Sequence, residues 1–267
     1  MNIYLSPLNP VKFVQKTDEK SGELERSYIQ QFIVGDVINI CLLGDENTKA
    51  TCIIEDKVLP FAPYISGKTH FYILPINTST LPKGKILSFE LEIYDSSTEE
   101  YATFESIDFI EIVEDCEELK KITYKGDSNI NPFNTYFGYG LEYTLRLPVG
   151  FKSTSIQNRL SAETFRNQNQ ELKLLYSAPY ETQTLIIGNG LGVPTWIATL
   201  INYIFCLSDV TINGEKYIRS EESVPEVVGG IEGYPLHVYN MSVEHIQGEY
   251  KVVYGDFNND FNEDYRI

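Results

Sequence analysis

The chain is poor in positive charge, in cysteine, in tryptophan and in long apolar runs. Lys and Arg number 21 against 38 Asp and Glu, a formal net charge of −17. Nucleic-acid affinity rests on cations that neutralise phosphates, so this deficit argues against a protein that wraps DNA or RNA. A bilayer-spanning helix needs roughly 20 apolar residues in succession. The most apolar stretch, Val193 to Leu207, is shorter than that and is interrupted by Thr, Asn and Tyr. The opening Met1-Asn-Ile-Tyr-Leu-Ser-Pro lacks the basic start and apolar centre of a secretory leader. The expectation is a soluble protein made in the cytosol, with no membrane partner.

Four cysteines, Cys41, Cys52, Cys116 and Cys206, stand apart from one another, and none forms a C-x-x-C pair. They are expected to be reduced thiols acting as small hydrophobes. A Cys41–Cys52 bridge is conceivable if their strands pair, but a reducing compartment disfavours it.

The residues that chemistry needs are present without the patterns it needs. Gly188-Asn-Gly190-Leu-Gly192-Val193-Pro194 lies between a strand and a helix, where a dinucleotide-binding turn would sit. The third glycine of G-x-G-x-x-G falls on Val193, and Pro194 removes a backbone donor, so a tight turn into a helix is expected. Asp256-x-Asn258-x-Asp260 matches the opening of a calcium loop, but Phe261 replaces the required glycine and Ile267 the bidentate Glu. His70, His237 and His245 share no metal spacing, the last two being expected on one strand and in the loop after it. No G-x-S-x-G elbow occurs, and the carboxylates are too many for any pair to stand out. The expectation is a protein that is not an enzyme, with no catalytic, cofactor-binding or metal residue.

What the chain does have is 19 Tyr and 14 Phe among short apolar runs separated by turn residues. Such a composition favours strands and offers amphipathic contact surface. Residues 1–27, with the charged Lys16 to Arg26, are expected to form an arm. Strands are expected at Tyr28 to Val34, Asp36 to Leu43, Lys49 to Glu55, Thr69 to Ile76, Lys85 to Tyr94 and Ser106 to Glu114. They imply a β-sandwich over 28–118. The charged Asp115 to Lys121 marks the boundary to a second β-domain over 119–254. Its strands are expected at Glu142 to Leu147, Leu172 to Ser177, Thr182 to Ile187, Leu236 to Val243 and Glu249 to Tyr254. A single helix is expected over 194–207, where Ile197, Leu200, Ile201, Ile204 and Phe205 recur at helical spacing behind Pro194. Asn213-Gly214 between two short alternating runs is a hairpin signal. Residues 255–267 are an acidic tail.

Two stretches carry a family resemblance. One is Ile122-Thr-Tyr124 … Asn131-Pro-Phe133 … Tyr143-Thr-Leu-Arg-Leu-Pro148. The other runs from Phe165-Arg-Asn-Gln-Asn-Gln170 through Leu175-Tyr-Ser-Ala-Pro-Tyr180, Leu185-Ile-Ile-Gly188 and Gly192-Val-Pro-Thr-Trp196 to Asn202, Cys206 and Val210-Thr-Ile-Asn-Gly-Glu-Lys-Tyr-Ile-Arg219. Over about residues 120–245 this order resembles tail structural proteins of tailed phages of gut Bacteroidetes, including crAss-like phages. The layout of 28–114 looks similar to the upstream β-domain of the same proteins. The resemblance implies a mainly β virion protein whose second domain is a β-barrel or sandwich with one flanking α-helix, of the tail-tube and distal-tail type. Six or twelve copies would close a ring around a DNA channel, next to neighbouring tail or portal proteins. Genomic DNA would pass without specific binding, and assembly would occur in the host cytoplasm. Two rivals make different expectations: a carbohydrate-binding or host-attachment module would show an exposed aromatic platform. A cell-wall hydrolase would show a deep pocket with a perturbed carboxylate or histidine.

Overall fold

A computed structural model describes residues 3–16, 28–128, 131–166, 170, 172–188, 191–221, 223–229 and 233–246. The fold is mainly β, with several sheets and one α-helix. Its N-terminal half contains β1 (Tyr4–Leu5), β2 (Phe13–Gln15), β3 (Ile29–Ile33), β4 (Val37–Gly44), β5 (Thr48–Ile54), β6 (Lys57–Pro60), β7 (Ala62–Ser66), β8 (Thr69–Asn77), β9 (Ile86–Leu87), β10 (Phe89–Asp95), β11 (Glu100–Ser106) and β12 (Phe109–Val113). These make three sheets, in the orders β1-β4-β8-β7, β2-β11-β10-β5-β6 and β3-β12-β9.

Side-chain alternation explains how they pack. In β10, Phe89, Leu91 and Ile93 are buried while Glu90 and Glu92 between them are half-exposed, as a strand with one wet face requires. The central pair β4 and β8 is apolar on both faces. Ile38, Ile40, Leu42, Tyr72, Leu74 and Ile76 enter the N-terminal core, whereas Cys41, Phe71 and Ile73 join the core of the C-terminal half. One sheet therefore serves two cores, and its strands read as continuous apolar runs.

The C-terminal half contains β13 (Leu119–Lys125), β14 (Tyr143–Phe151), β15 (Gln157–Arg166), β16 (Leu172–Ile187), β17 (Val193–Pro194), α1 (Thr195–Ile204), β18 (Asp209–Ile212), β19 (Glu215–Arg219), β20 (Glu226–Gly229) and β21 (Leu236–His245). Its strands form one nine-stranded sheet, ordered β15-β16-β14-β13-β18-β19-β21-β17 with β20 on β21. The antiparallel pairings also run from β21 back to β16, through Thr182↔Glu244 to Ile187↔Tyr239. Among the described residues no ladder joins a strand up to β12 with one from β13 onward. The helix buries Ile197, Leu200, Ile201, Ile204 and the following Phe205. No helix of the described residues is long and apolar enough to cross a membrane.

Several expectations change. Residues 3–16 of the expected arm are built into the body: β1 pairs with β4, β2 pairs with β11, and Leu8 is fully buried in the C-terminal core. Asn9 holds them there, its side chain donating to the Cys41 carbonyl at 2.9 Å and accepting from the Cys41 amide at 2.8 Å. One amide side chain thus makes the two bonds a partner strand would make. Residues 17–27 lie outside the described residues. Lys85 to Tyr94 is not one strand but β9 and β10 in different sheets. Leu172 to Ser177 and Thr182 to Ile187 are one strand, β16. The helix starts at Thr195, because Pro194 is extended (φ −68°, ψ 153°) and paired with Leu236. It ends at Ile204, and tighter turn bonds carry the chain on to Leu207. The expected strand Glu249 to Tyr254 and the tail 255–267 lie outside the described residues.

Candidate functional site

Among the described residues, the hairpin of β15 and β16 is a long ladder with no third strand beside most of it. Ten residues of β15 pair with β16 from Gln157↔Thr182 to Arg166↔Leu172, with a register shift between Glu163 and Thr164. β14 and β21 meet β16 only from Thr182 onward. Among the described residues no third strand pairs with the two over Leu172–Tyr180, an arm of roughly 30 Å. Every residue of β15 is exposed. The register puts Leu160, Ala162 and Thr164 on one face with Pro179, Ser177, Leu174 and Leu172. Along that face Leu160, Leu172 and Leu174 are 62%, 60% and 64% exposed. Arg159, Arg166 and Lys173 are matched in number by Glu163, Glu171 and Glu181, so this segment is neutral on a chain of net charge −17.

A second feature is a tyrosine cluster at the seam of the two halves. Tyr136 is buried, and its ring lies 5.1 Å from that of Tyr64 on β7 and 5.4 Å from that of Phe71 on β8. Tyr139 lies 6.5 Å from both Tyr64 and Tyr136, and it is 95% exposed. Its backbone is left-handed (φ 55°, ψ 28°), between Gly138 and Gly140. A Cβ on Gly138 would collide with the Tyr136 hydroxyl, so glycine there admits that ring. Burial, together with the neighbouring Tyr139 and Tyr64 phenols, pushes Tyr136 above the usual phenol range. None of the three phenol oxygens bonds to another described residue.

No protein-family model, no curated protein and no solved structure matches this chain.

The residues singled out in the sequence do not come together. Gly188 (φ 86°) and Gly192 (φ 83°) shape a turn in which the Gly192 amide donates to the Gly188 carbonyl at 2.8 Å. A Cβ on Gly192 would stand 2.9 Å from the His237 nitrogen, so these glycines admit close backbone packing. His237 and His245 both lie on β21, about 26 Å apart at strand rise. His245 faces Glu215 at 3.3 Å and lies tilted against Tyr217 with ring centroids 5.0 Å apart, while His70 is on β8. Among the described residues no three metal-ligating side chains gather. Asp256, Asn258 and Asp260 lie outside them.

All four cysteines are free. Cys41 and Cys52 sit in different sheets and different cores, so their strands do not pair. Burial pushes the Cys41 thiol up to about 11 and that of Cys52 up to about 12. Cys206 is exposed, with the Arg219 guanidinium 3.4 Å from its sulfur. The shallow cavity between the N-terminal segment and α1, about 320 Å³ and lined by Leu5, Val11, Phe13, Trp196 and Tyr203, holds no carboxylate or histidine. The Asp108 carboxylate accepts the indole N–H of the lining Trp196 at 2.7 Å.

Proposed function

We propose that this chain is a structural component of a phage tail or portal–tail connector that assembles into a ring, and that it is not an enzyme. The observation that carries this reading is the β15–β16 arm. A lone two-stranded hairpin is marginal in water, and a long open edge with an apolar face is a surface that folded proteins cover. Each leucine on it gains about 1.5–3 kcal/mol when fully buried. An arm reaching from one copy onto a different surface of the next makes a head-to-tail contact, which closes into a ring when the rotation allows.

The neutral charge of the arm supports the same reading, since two acidic copies can meet there with little repulsion. We read the pairing circuit β16-β14-β13-β18-β19-β21 as a β-barrel flanked by α1, and the N-terminal sheets as a β-sandwich. That is the layout expected of tail-tube and distal-tail proteins. Genomic DNA would pass through the ring without specific binding, its phosphates held off by acidic walls, with neighbouring tail or portal proteins stacked above and below. The place of action would be the virion, after assembly in the host cytoplasm.

Light scattering and negative-stain electron microscopy of the purified chain test this. Closed rings of six or twelve copies are expected. A variant carrying Leu160→Glu, Leu172→Glu and Leu174→Glu should remain folded, because those side chains face solvent, yet run as a monomer. A wild-type chain that stays monomeric at high micromolar concentration overturns the proposal.

A further inference from the structure

We infer that Tyr139 and Tyr64, seated on the buried Tyr136, form a shallow binding platform for a neutral saccharide, a role that goes beyond ring assembly. The tyrosine cluster has two properties that structural packing does not require. Tyr139 contributes nothing to the core, being 95% exposed. It nevertheless occupies a left-handed backbone position that disfavours any residue with a Cβ. Strain of this kind persists where surrounding structure enforces it, and it gathers at binding sites. Here the enforcement is visible: Gly138 and Gly140 flank the position, and buried Tyr136 and Phe71 give Tyr64 and Tyr139 a rigid aromatic base.

The ligand class follows by elimination. A purely apolar ligand needs an enclosed pocket that removes most of its surface from water, and a ring as open as Tyr139 provides none. Nucleobases also stack on aromatic platforms, but they bring phosphates that require a cationic groove. This chain carries a net charge of −17. Anionic sugars meet the same repulsion. A neutral pyranose has an apolar C–H face to lie on a tyrosine ring and hydroxyls to exchange hydrogen bonds with phenols. The Tyr64 and Tyr139 oxygens have no partner among the described residues and are available for that exchange.

Affinity electrophoresis of the full chain tests this, in native gels containing α-glucan, β-glucan, mannan or xylan, with polygalacturonate as the anionic comparison. Retardation is expected in at least one neutral gel and not in polygalacturonate. Tyr139→Ala should weaken it at least tenfold with an unchanged near-ultraviolet circular dichroism spectrum, and Tyr139→Phe should retain part of it. Gly138→Ala, which displaces the Tyr136 ring, should weaken binding as well. The inference is overturned by migration unaffected in all four neutral gels, by retardation in polygalacturonate alone, or by retardation that survives Tyr139→Ala. It is overturned too if Tyr139→Ala changes only the oligomeric state in light scattering, which would make the platform a contact between copies.

Discussion

The Arg146 guanidinium grips the Asp36 carboxylate through two parallel hydrogen bonds, Nε to Oδ2 and Nη2 to Oδ1, each 2.9 Å. That fork ties β14 of the C-terminal half to the turn between β3 and β4. Asp36 is almost fully buried and is held further, accepting the Ile33 amide at 3.0 Å while its carbonyl accepts the Thr78 amide at 3.0 Å. Asn39 adds a second tie, its side chain donating to the Glu142 carbonyl at 2.7 Å.

Removing one partner of a buried pair leaves the other charge uncompensated, at a cost of about 3–5 kcal/mol. Arg146→Ala should therefore destabilise the chain by about 3 kcal/mol in urea denaturation, the low end because Arg146 is not fully buried. Arg146→Lys should recover only part of this, since an ammonium cannot reproduce the planar fork. Because Leu8, Cys41, Phe71 and Ile73 pack into the C-terminal core, both halves should unfold in one transition. A change below about 0.5 kcal/mol, the level of an ordinary surface substitution, would mean the fork does not hold the seam.

Alkaline pH acts on a different pair at the same seam. Tyr124 and Tyr143 stack with ring centroids 5.7 Å apart, and the Tyr124 hydroxyl donates to the Leu8 carbonyl at 2.6 Å. Burial raises both phenols well above their usual range. A raised folded-state value means the stabilisation is complete below the unfolded value, near pH 10, and is lost as pH climbs from there toward the folded value. Absorbance at 295 nm follows the ionisation of the phenols. Tyr124 and Tyr143 should ionise at higher pH, together with unfolding by circular dichroism. A single smooth titration of all tyrosines with the fold intact would contradict this placement.

The parts legible in the sequence are those where local pattern and burial agree. The helix was readable because Ile197, Leu200, Ile201 and Ile204 repeat at 3.6 residues and all four are buried. Phe89 to Tyr94 was readable from its strict alternation, and Asn213-Gly214 from turn chemistry: both residues have positive φ between β18 and β19. The Asn213 side chain also accepts the Lys121 amide at 2.9 Å, a contact 92 residues away that no local signal announces. Leu8 gave no sign of being core, since one leucine among Ser, Pro and Asn has no period. The arm was missed for the opposite reason. A strand exposed on both faces shows no apolar–polar alternation, and Pro179 reads as a break although an open-edged strand tolerates it. The tyrosine cluster joins residues 64, 136 and 139 across two halves, so only the fold could assemble it.

Two glycines with similar backbones should respond differently to alanine. Gly192 (φ 83°) and Gly214 (φ 88°) both pay for a Cβ in the left-handed region, about 1 kcal/mol. Around Gly214 nothing lies within 4 Å of the added atom, whereas at Gly192 it would meet the His237 nitrogen at 2.9 Å and the Leu236 carbonyl carbon at 3.0 Å. Gly214→Ala should cost about 1 kcal/mol and Gly192→Ala at least about 2 kcal/mol, because β17 must then shift from β21. Thermal denaturation of the two variants checks the order, and equal losses would show that the turn yields without strain.

Assembly through a neutral apolar arm has a salt dependence opposite in sign to assembly through ion pairs. Copies that each carry −17 repel one another at long range, and the repulsion is screened when the Debye length falls from about 30 Å at 0.01 M salt to about 8 Å at 0.15 M. The leucines at 160, 172 and 174 are indifferent to screening, because burial of apolar surface is their contribution. Raising salt over that range should shift sedimentation-velocity profiles from small species toward rings. The variant with Glu at those three positions should stay monomeric throughout, since screening removes repulsion without supplying an apolar contact. Rings that instead dissociate as salt rises would place the contact on charged side chains, and the arm would lose its assigned role.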